Sequence, residues 1–384
     1  MFLTDSHAPQ ILPREAYTDP EYHQREIQRV LLPAWHLIGT TRELPREGSF
    51  FNRTICGRSV LVSRLDGSPR AFLNVCPHRF SQLTSCARGC NPKLRCQYHG
   101  WEFDSQGRTR KIPDAPNFRP LERDQAALKS YRIESCGQLL FVCLSDEGPS
   151  LAEFLGPNFA IGEQLFPPTS WLVSATDTVD ANWKIAIENS LESYHIDTVH
   201  PKTLFHTPQE SDCHHELHER HTLFAAPGLP PSMMRAVYEF LHARMGFRAT
   251  RRYSHLVLYP NMFFFWHDVL CGVLVMIPLS VSRTEIRQFV FLRQGPPQAF
   301  VWNMLLNMLA PLELMFWHRV MKEDLGIMPN VQRGMESPDA PKGGLLSRRE
   351  ERCAHFQSYV ASLMGLPLPP DLKADLRPHP ESLG

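Results

Sequence analysis

Cys76-Pro77-His78 and Cys96-Gln97-Tyr98-His99 place two thiols and two imidazoles in two short segments, with residues 79–95 between them. Soft sulfur and imidazole donors at such spacing hold metal. A [2Fe–2S] cluster held by four cysteines has a low potential, and two histidines on one of its irons raise it, a donor set these segments can supply. A structural zinc also takes two Cys and two His, but its fingers usually pair like with like, whereas each segment here carries one of each. Four metal-free core residues are the remaining alternative, and two tight soft-ligand pairs rarely arise from packing alone. A second grouping, Glu188, Asn189, Glu192, His195 and His200, lies in a stretch that reads as helical. Glu192 and His195 share a helix face, while a regular helix splays His195 from His200. Convergence of the two imidazoles on one metal predicts a bulge or a helix end between them. A two-His-one-carboxylate iron site then needs an Asp or Glu from elsewhere, with positions left open for oxygen.

The segment Cys76 to Trp101, with Arg79 after the first His and Gly100-Trp101 after the second, resembles the cluster-binding segment of Rieske non-haem iron oxygenases. These are the catalytic alpha subunits of two- or three-component monooxygenases and dioxygenases. The resemblance implies that Cys76 and Cys96 bind one iron of the cluster and that His78 and His99 bind the other at an exposed tip. Phe80 departs from it, where a small residue is more usual, and the departure bears on loop packing. The motif acid-x-x-His-x-x-x-x-His falls on Glu192, His195 and His200, implying that both histidines ligate a mononuclear non-haem Fe(II). The third ligand is implied to lie on a late helix, in an acidic pair preceding Gln-x-Gly. Glu323-Asp324 followed by Gln332-Arg333-Gly334 fits, so Asp324 is the expected ligand, with Glu323 as the alternative.

Glu192 stands where most aromatic-ring oxygenases of that family have aspartate, and glutamate there is similar to the branch acting on choline, glycine betaine and carnitine. The role so implied is a bridge, one carboxylate accepting from a cluster imidazole of one subunit and an iron-ligand imidazole of the next. The alternative is a plain surface glutamate. The resemblance further implies a homotrimer with transfer between subunits. Electrons come from NAD(P)H through a separate flavin/iron–sulfur reductase, since the chain shows no convincing Gly-x-Gly-x-x-Gly fingerprint. With O2 they hydroxylate, N-demethylate or cleave a small quaternary-ammonium or related aliphatic substrate. Alternative functions are an aromatic-ring hydroxylating dioxygenase or O-demethylase, a Rieske electron carrier with a degenerate second domain, and a zinc-stabilised binding protein.

The elements that must position these residues suggest an α+β fold. After an N-terminal arm (1–34) with a helix over Glu21–Leu32, runs such as Trp35–Gly39, Ser59–Val62 and Ala71–Val75 read as strands of a small antiparallel β domain (35–150). A polar, Pro-rich joint over 145–168 follows. The catalytic domain (151–384) is expected to hold an antiparallel sheet over His255–Tyr259, Met262–Trp266, Val269–Ile277 and Glu285–Leu292, then helices over 303–336. The resemblance makes this a helix-grip, START-like domain whose cavity holds the mononuclear iron. Two of Phe263-Phe264-Phe265-Trp266 should face that cavity, since strand residues alternate. An aromatic wall there suits a trimethylammonium group or a flat ring.

The 384 residues, 43% of them apolar, are enough for two cored domains. Forty basic against forty acidic residues leave no electrostatic footprint for nucleic acid. The stretch Phe300–Trp317, interrupted by Asn303, Asn307, Pro311 and Glu313, reads as a buried helix pair rather than a membrane span. Met1–Glu15 lacks a secretory pattern and the ten cysteines show no disulfide framework, so a reducing cytoplasm is expected. His214-His215-Glu216-Leu217-His218 lacks the spacing of a metalloprotease motif and reads as a solvated strand. The tail from Leu366, rich in proline, reads as irregular.

Overall fold

The computed structural model describes residues 6–121, 126–168, 171–228, 232–341 and 343–369. The chain packs as two units: one runs from Leu32 to Pro168, and the other joins the residues up to Leu31 with those beyond Pro168. The first long helix is started by Asp19, whose side chain accepts the Glu21 N–H, with Pro20 at its first position. This α1 (Pro20–Glu26) continues as a π-turn over Ile27–Leu31.

The smaller unit holds β1 (Trp35–Thr40), β2 (Ser49–Ile55), β3 (Arg58–Leu65), β4 (Ser68–Leu73) and β5 (Arg88–Cys90). After these come the short strands β6 (Leu94–Arg95), β7 (Glu102–Phe103) and β8 (Thr109–Lys111), then β9 (Ser130–Cys136) and β10 (Leu139–Cys143). Seven form an antiparallel sheet in the order β1-β10-β9-β4-β3-β2-β5, and β6-β7-β8 form a separate three-stranded sheet. Inward residues such as Leu37, Phe51, Val60, Val62 and Phe141 are fully buried. The stretch read from the sequence as a polar, Pro-rich joint, with a domain boundary at 150, instead forms two helices, α2 (Leu151–Leu155) and α3 (Asn158–Leu165), that pack with this unit. The Leu151 N–H donates to Glu134 on β9, and the Gln138 N–H to the Phe166 carbonyl just past α3.

The larger unit has the strands β11 (Trp171–Val179), β12 (His214–His218), β13 (His221–Pro227), β14 (Arg252–Leu258), β15 (Met262–Trp266), β16 (Leu270–Ser280) and β17 (Arg283–Leu292). All pair antiparallel in the order β11-β17-β16-β15-β14-β13-β12. The helices are α4 (Trp183–Ser190), α5 (Ile196–Val199), α6 (Met233–Arg244), α7 (Phe300–Glu336) and α8 (Glu351–Met364). α4, α7 and α8 bury one sheet face, from which Val257, Phe263, Phe265, Leu274 and Val290 enter the core. This is the α+β class expected from the sequence.

The apolar stretch 300–317 corrects the expectation of a buried helix pair. It is the first half of one 37-residue helix that continues through Pro311 and Pro329. Leu306, Ala310 and Val320 are buried, whereas Phe300, Met304, Met308 and Met315 are exposed. The asparagines and the glutamate interrupt the composition without ending the 3.6-residue period, and neighbouring contacts tolerate the prolines. Among the described residues, 297–336 is long and apolar enough by length and composition to cross a membrane, with 17% of its most apolar window buried.

α4 is unusual in burying charge. Lys184 is fully buried with its Nζ 2.8 Å from Glu26 of α1 and lies over the rings of Tyr17 and Trp183. One turn on, Glu188 accepts from the Tyr17 hydroxyl and, at 3.1 Å, from Gln357 Nε2. Burial, partly offset by these donors and by Lys184, pushes the Glu188 carboxyl up to about 7. A carboxyl that holds its proton more tightly folded than unfolded contributes stability below its unfolded pKa near 4.5, and that stability is lost as pH rises through about 7. We predict that the unfolding free energy of wild type minus that of Glu188→Gln falls by about 2–3 kcal/mol from pH 5 to pH 8. Denaturant titrations at the two pH values measure it, and a pH-independent difference rejects it.

Candidate metal centres

The chain from Asn182 to His200 is built to turn. The Asn182 side chain accepts the Lys184 N–H and starts α4, which ends at Ser190. Glu192 then folds its carboxylate back onto the N–H groups of Tyr194 and His195, and α5 restarts at Ile196. The break precedes both histidines; the helix end expected between them is that of α5, a single turn with His195 as its N-cap and His200 as its C-cap. The His195 and His200 rings come to 5.2 Å between centroids.

Asp324, from α7, meets both. Its Oδ1 is 3.0 Å from His200 Nε2 and 3.4 Å from His195 Nε2. One donor atom from each of the three residues lies within 4.8 Å of the others, and no other cluster of this kind occurs among the described residues. The outer nitrogens are held separately. His195 Nδ1 faces Glu192 Oε1, and His200 Nδ1 lies 2.8 Å from Glu323 Oε2, which also takes the Thr203 hydroxyl. Glu323, the alternative third ligand in the sequence, thus meets His200 from behind at Nδ1, while Asp324 faces the Nε2 atoms of both histidines. Each imidazole presents Nε2 inward with a carboxylate on Nδ1, the orienting arrangement found behind metal-bound histidines.

The electrostatics match such a centre. Burial opposes charge on Asp324, but hydrogen bonds from His195 and His200 outweigh it and hold the carboxyl at about 2. Burial likewise disfavours the His195 cation, yet contacts with Asp324 and Glu192 raise it to about 10. The site therefore gathers carboxylates around positive charge that a divalent metal can supply in place of protons, and two neutral imidazoles with one carboxylate suit iron(II). Asn189 Nδ2 donates to Asp324 Oδ1 at 2.9 Å. Gln332 fixes the approach of α7, accepting the Asn182 N–H at 2.9 Å and donating to the Tyr17 carbonyl at 3.2 Å. The roles of Asn189, Thr203 and Gln332 were not read from the sequence, although Gln332 lay inside the quoted motif.

In the smaller unit the two cysteine segments form closely similar loops. The Phe80 N–H donates to the Cys76 carbonyl at 3.0 Å and the Gly100 N–H to the Cys96 carbonyl at 3.1 Å. Both turning residues have positive φ, 59° and 71°. Cys76 and Cys96 are buried, while His78 and His99 are half-buried with ring centroids 4.5 Å apart. His78 stacks on Trp101 at 5.0 Å, and its Nδ1 is a buried atom with no hydrogen-bond partner. Burial pushes the Cys76 thiol up to about 11, so a thiolate there needs adjacent positive charge. A metal at this point satisfies both the orphaned nitrogen and the sulfurs, and the donor set fits a mixed-ligand [2Fe–2S] cluster.

Other sequence features stay structural. His214 and His218 flank Glu216 on the exposed face of β12, at 2.8 and 2.9 Å, as expected of a solvated strand. Phe263 and Phe265 face the core beside Trp317 of α7, which stacks on Phe265 at 4.1 Å.

A mixed Cys–His cluster site in one unit and a two-His-one-carboxylate site in the other define an α+β protein of Rieske oxygenase type. Residues 34–132 match the Rieske [2Fe-2S] domain and residues 168–366 match the ring hydroxylating alpha subunit (catalytic domain), and the chain belongs to this alpha-subunit family. It is 32% identical over 198 residues to the glycine betaine monooxygenase oxygenase subunit of Chromohalobacter salexigens, a match covering 50% of this chain and 44% of that one. The chain thus aligns with less than half the length of that relative. It is 26% identical over 371 residues to the carnitine monooxygenase oxygenase subunit of Escherichia coli K12, covering 92% and 93% of the two chains. In structure it is similar to a quaternary ammonium Rieske monooxygenase in complex with L-carnitine, with a TM-score of 0.73 at 19% identity over 93% of this chain and 96% of that one. It is also similar to naphthalene 1,2-dioxygenase, with a TM-score of 0.74 at 20% identity over 92% and 93% of the chains.

The two acidic neighbours on α7 are predicted to separate cleanly. Asp324→Ala abolishes mononuclear iron binding, whereas Glu323→Gln retains it with affinity lowered about 10- to 100-fold. Iron titration of cluster-loaded protein checks this, and an exchanged pattern makes Glu323 the ligand.

Proposed function

We propose that the chain is the oxygenase component of a multicomponent Rieske oxygenase, oxidising a small quaternary-ammonium substrate with O2. Electrons from NAD(P)H arrive through a separate flavin/iron–sulfur reductase. The observation that carries the reading is the convergence of His195, His200 and Asp324 in a chain that also holds the Cys76, His78, Cys96 and His99 donor set. A carrier needs only the second of these. The similarity to glycine betaine and carnitine monooxygenase subunits supports the substrate class.

Cys76 and Cys96 are the sulfur ligands, and His78 and His99 are the nitrogen ligands nearer solvent. His195, His200 and Asp324 hold the mononuclear iron, whose chemistry when bound is the reductive activation of O2. The residues around it have distinct tasks. Glu192 fixes the His195 tautomer by taking its Nδ1–H, and its backbone hydrogen bonds prevent the carboxylate from rotating away. Carboxylate oxygens keep lone pairs for another imidazole N–H, so Glu192 can also accept from a cluster histidine of a neighbouring subunit in a closed homotrimer. Glu323 fixes His200 in the same way.

With one oxygen atom of O2 inserted into an N-methyl C–H bond and the other leaving as water, two electrons and two protons are consumed. The carbinolamine then releases formaldehyde and a proton, leaving the demethylated amine. A cytoplasmic location fits thiolate ligation and reductase supply.

A single turnover of chemically reduced protein with O2 and a panel of betaines, carnitine, choline and simple aromatics tests the reading, with products identified by mass spectrometry. A demethylated or cleaved amine is expected. Hydroxylated aromatics alone overturn the substrate class, and two irons per chain in place of three (two in the cluster and one beyond it) reduce the protein to a carrier. Glu192→Ala should keep all three irons and lose coupled turnover by at least about tenfold. Full retained turnover removes the bridging role.

A further inference from the structure

The chain is neutral as a whole, but its charge is uneven around the cysteine loops. No acid stands between Asp66 and Glu102, and the same stretch carries Arg70, Arg79, Arg88, Lys93 and Arg95. The last four are exposed. Of these four only Lys93 has a carboxylate partner among the described residues, Glu102 at 3.7 Å. Cations gathered on one surface without neighbouring carboxylates project a common positive field.

Arg88, Lys93 and Arg95 line a surface groove of about 840 Å³ whose wall continues along the second loop, from Cys96 to Gly100, and reaches His99. Cys76 and His78 do not line it, so the groove is not the space between the two loops. No carboxylate lines it among the described residues, and Phe50 and Leu83 give it apolar patches. Tyr98 forms part of its wall and is 56% exposed, with its ring centroid 3.7 Å from that of His99. The Arg79 guanidinium lies 5.7 Å from the centre of the Tyr98 ring. A body seated in the groove meets positive charge and comes within one side chain of a cluster-ligand imidazole. The charge selects a carboxylate-rich surface, and the place selects a partner that exchanges electrons.

We propose that this groove is the docking site of the electron donor, a protein domain with a carboxylate-rich face around its own redox centre. On each encounter the donor is oxidised by one electron and the cluster is reduced by one, with no atom transferred. Two encounters supply the two electrons consumed per oxygen insertion. The proposal rests on the reading above for the cluster and the external donor, and on Arg88, Lys93 and Arg95 for the place and charge of the contact. Plant-type [2Fe–2S] ferredoxin, a carboxylate-rich protein, is the probe. Calorimetry measures binding of oxidised ferredoxin to the oxidised holoenzyme, and stopped-flow absorbance measures how fast reduced ferredoxin reduces the cluster. Full reduction by dithionite shows that the cluster of each variant is intact.

At an ionic strength of about 50 mM, Arg88→Glu and Lys93→Glu are each expected to weaken ferredoxin binding and to slow reduction by it at least about fivefold. At about 500 mM the differences should shrink below about twofold. Arg248→Glu, the same change of charge at an exposed arginine of the larger unit, should alter either quantity less than about twofold. Arg95 is left unchanged, because its guanidinium packs where a Cβ on Gly100 would lie 2.9 Å away, against the second loop. Should a Glu variant lose its cluster, Arg88→Gln and Lys93→Gln decide, with losses of at least about twofold. Groove variants that bind and are reduced like wild type, or an equal loss in Arg248→Glu, overturn the proposal. So does a wild type that dithionite reduces but ferredoxin neither binds nor reduces. Groove variants that change the oligomeric state in gel filtration make the groove a contact between copies, and this too overturns it. A wild type without a reducible cluster overturns the underlying reading of the cysteine–histidine site, and the docking proposal with it.

Discussion

One carboxylate oxygen on a long helix must stand within reach of two imidazole Nε2 atoms that arrive from another part of the chain, and much of the larger unit serves that demand. Asp324 and Gln332 are eight residues apart on α7, about 12 Å along the axis. Gln332 is tied to the Asn182 backbone, where α4 begins, so the helix is held at both ends of the segment that matters. From Asn182 the path runs through α4 to the break at Glu192 and on to His195 and His200. The ligand helix and the histidine-bearing segment thus share one anchor. Asn189, one residue from the end of α4, closes the loop by donating to Asp324 itself.

That anchoring has a cost, visible in the charges α4 buries. Lys184 and Glu26 are fully buried, and such pairs are held together less by net gain than by the penalty for leaving either alone. Tyr17 and Glu26 come from the segment before Leu31, more than a hundred residues away in the chain. They complete a network that reaches through Glu188 to Gln357 on α8. An apolar α4 could pack as tightly, but with less directional restraint on its rotation about its own axis. Hydrogen bonds fix that rotation, and the rotation sets where Asn189 and the break beyond it point.

What was legible in the sequence follows from covalent spacing. Cys76 to His78, Cys96 to His99 and His195 to His200 are local, so donor type and separation speak directly, and even the helix end between the histidines could be anticipated from their five-residue offset. Asp324 was legible only through the resemblance, because nothing local links an acid on α7 to a histidine 124 residues earlier. Glu323 and Asp324 could not be told apart as ligands by type. They differ in which imidazole nitrogen they meet, a property of helix rotation that neighbouring positions do not encode. The continuity of α7 was hidden by Pro311 and by polar residues that break composition but not period.

The cysteine loops show how a departure in sequence can be read once backbone geometry is known. Phe80 and Gly100 occupy equivalent places, each four residues after its cysteine, in a left-handed conformation that returns an N–H to the cysteine carbonyl. Glycine adopts that conformation freely, whereas a side chain there costs about 1–2 kcal/mol. Phe80 does not recover the cost by burial, because its ring is 80% exposed. Close by, Tyr98 is exposed as well and lies against the His99 ring at 3.7 Å between centroids. The unusual residue is therefore not a packing adjustment within the loop, as the sequence suggested. Its ring adds nothing to the core of its own unit, and any stabilisation it contributes must be made on the outer side of the cluster loops.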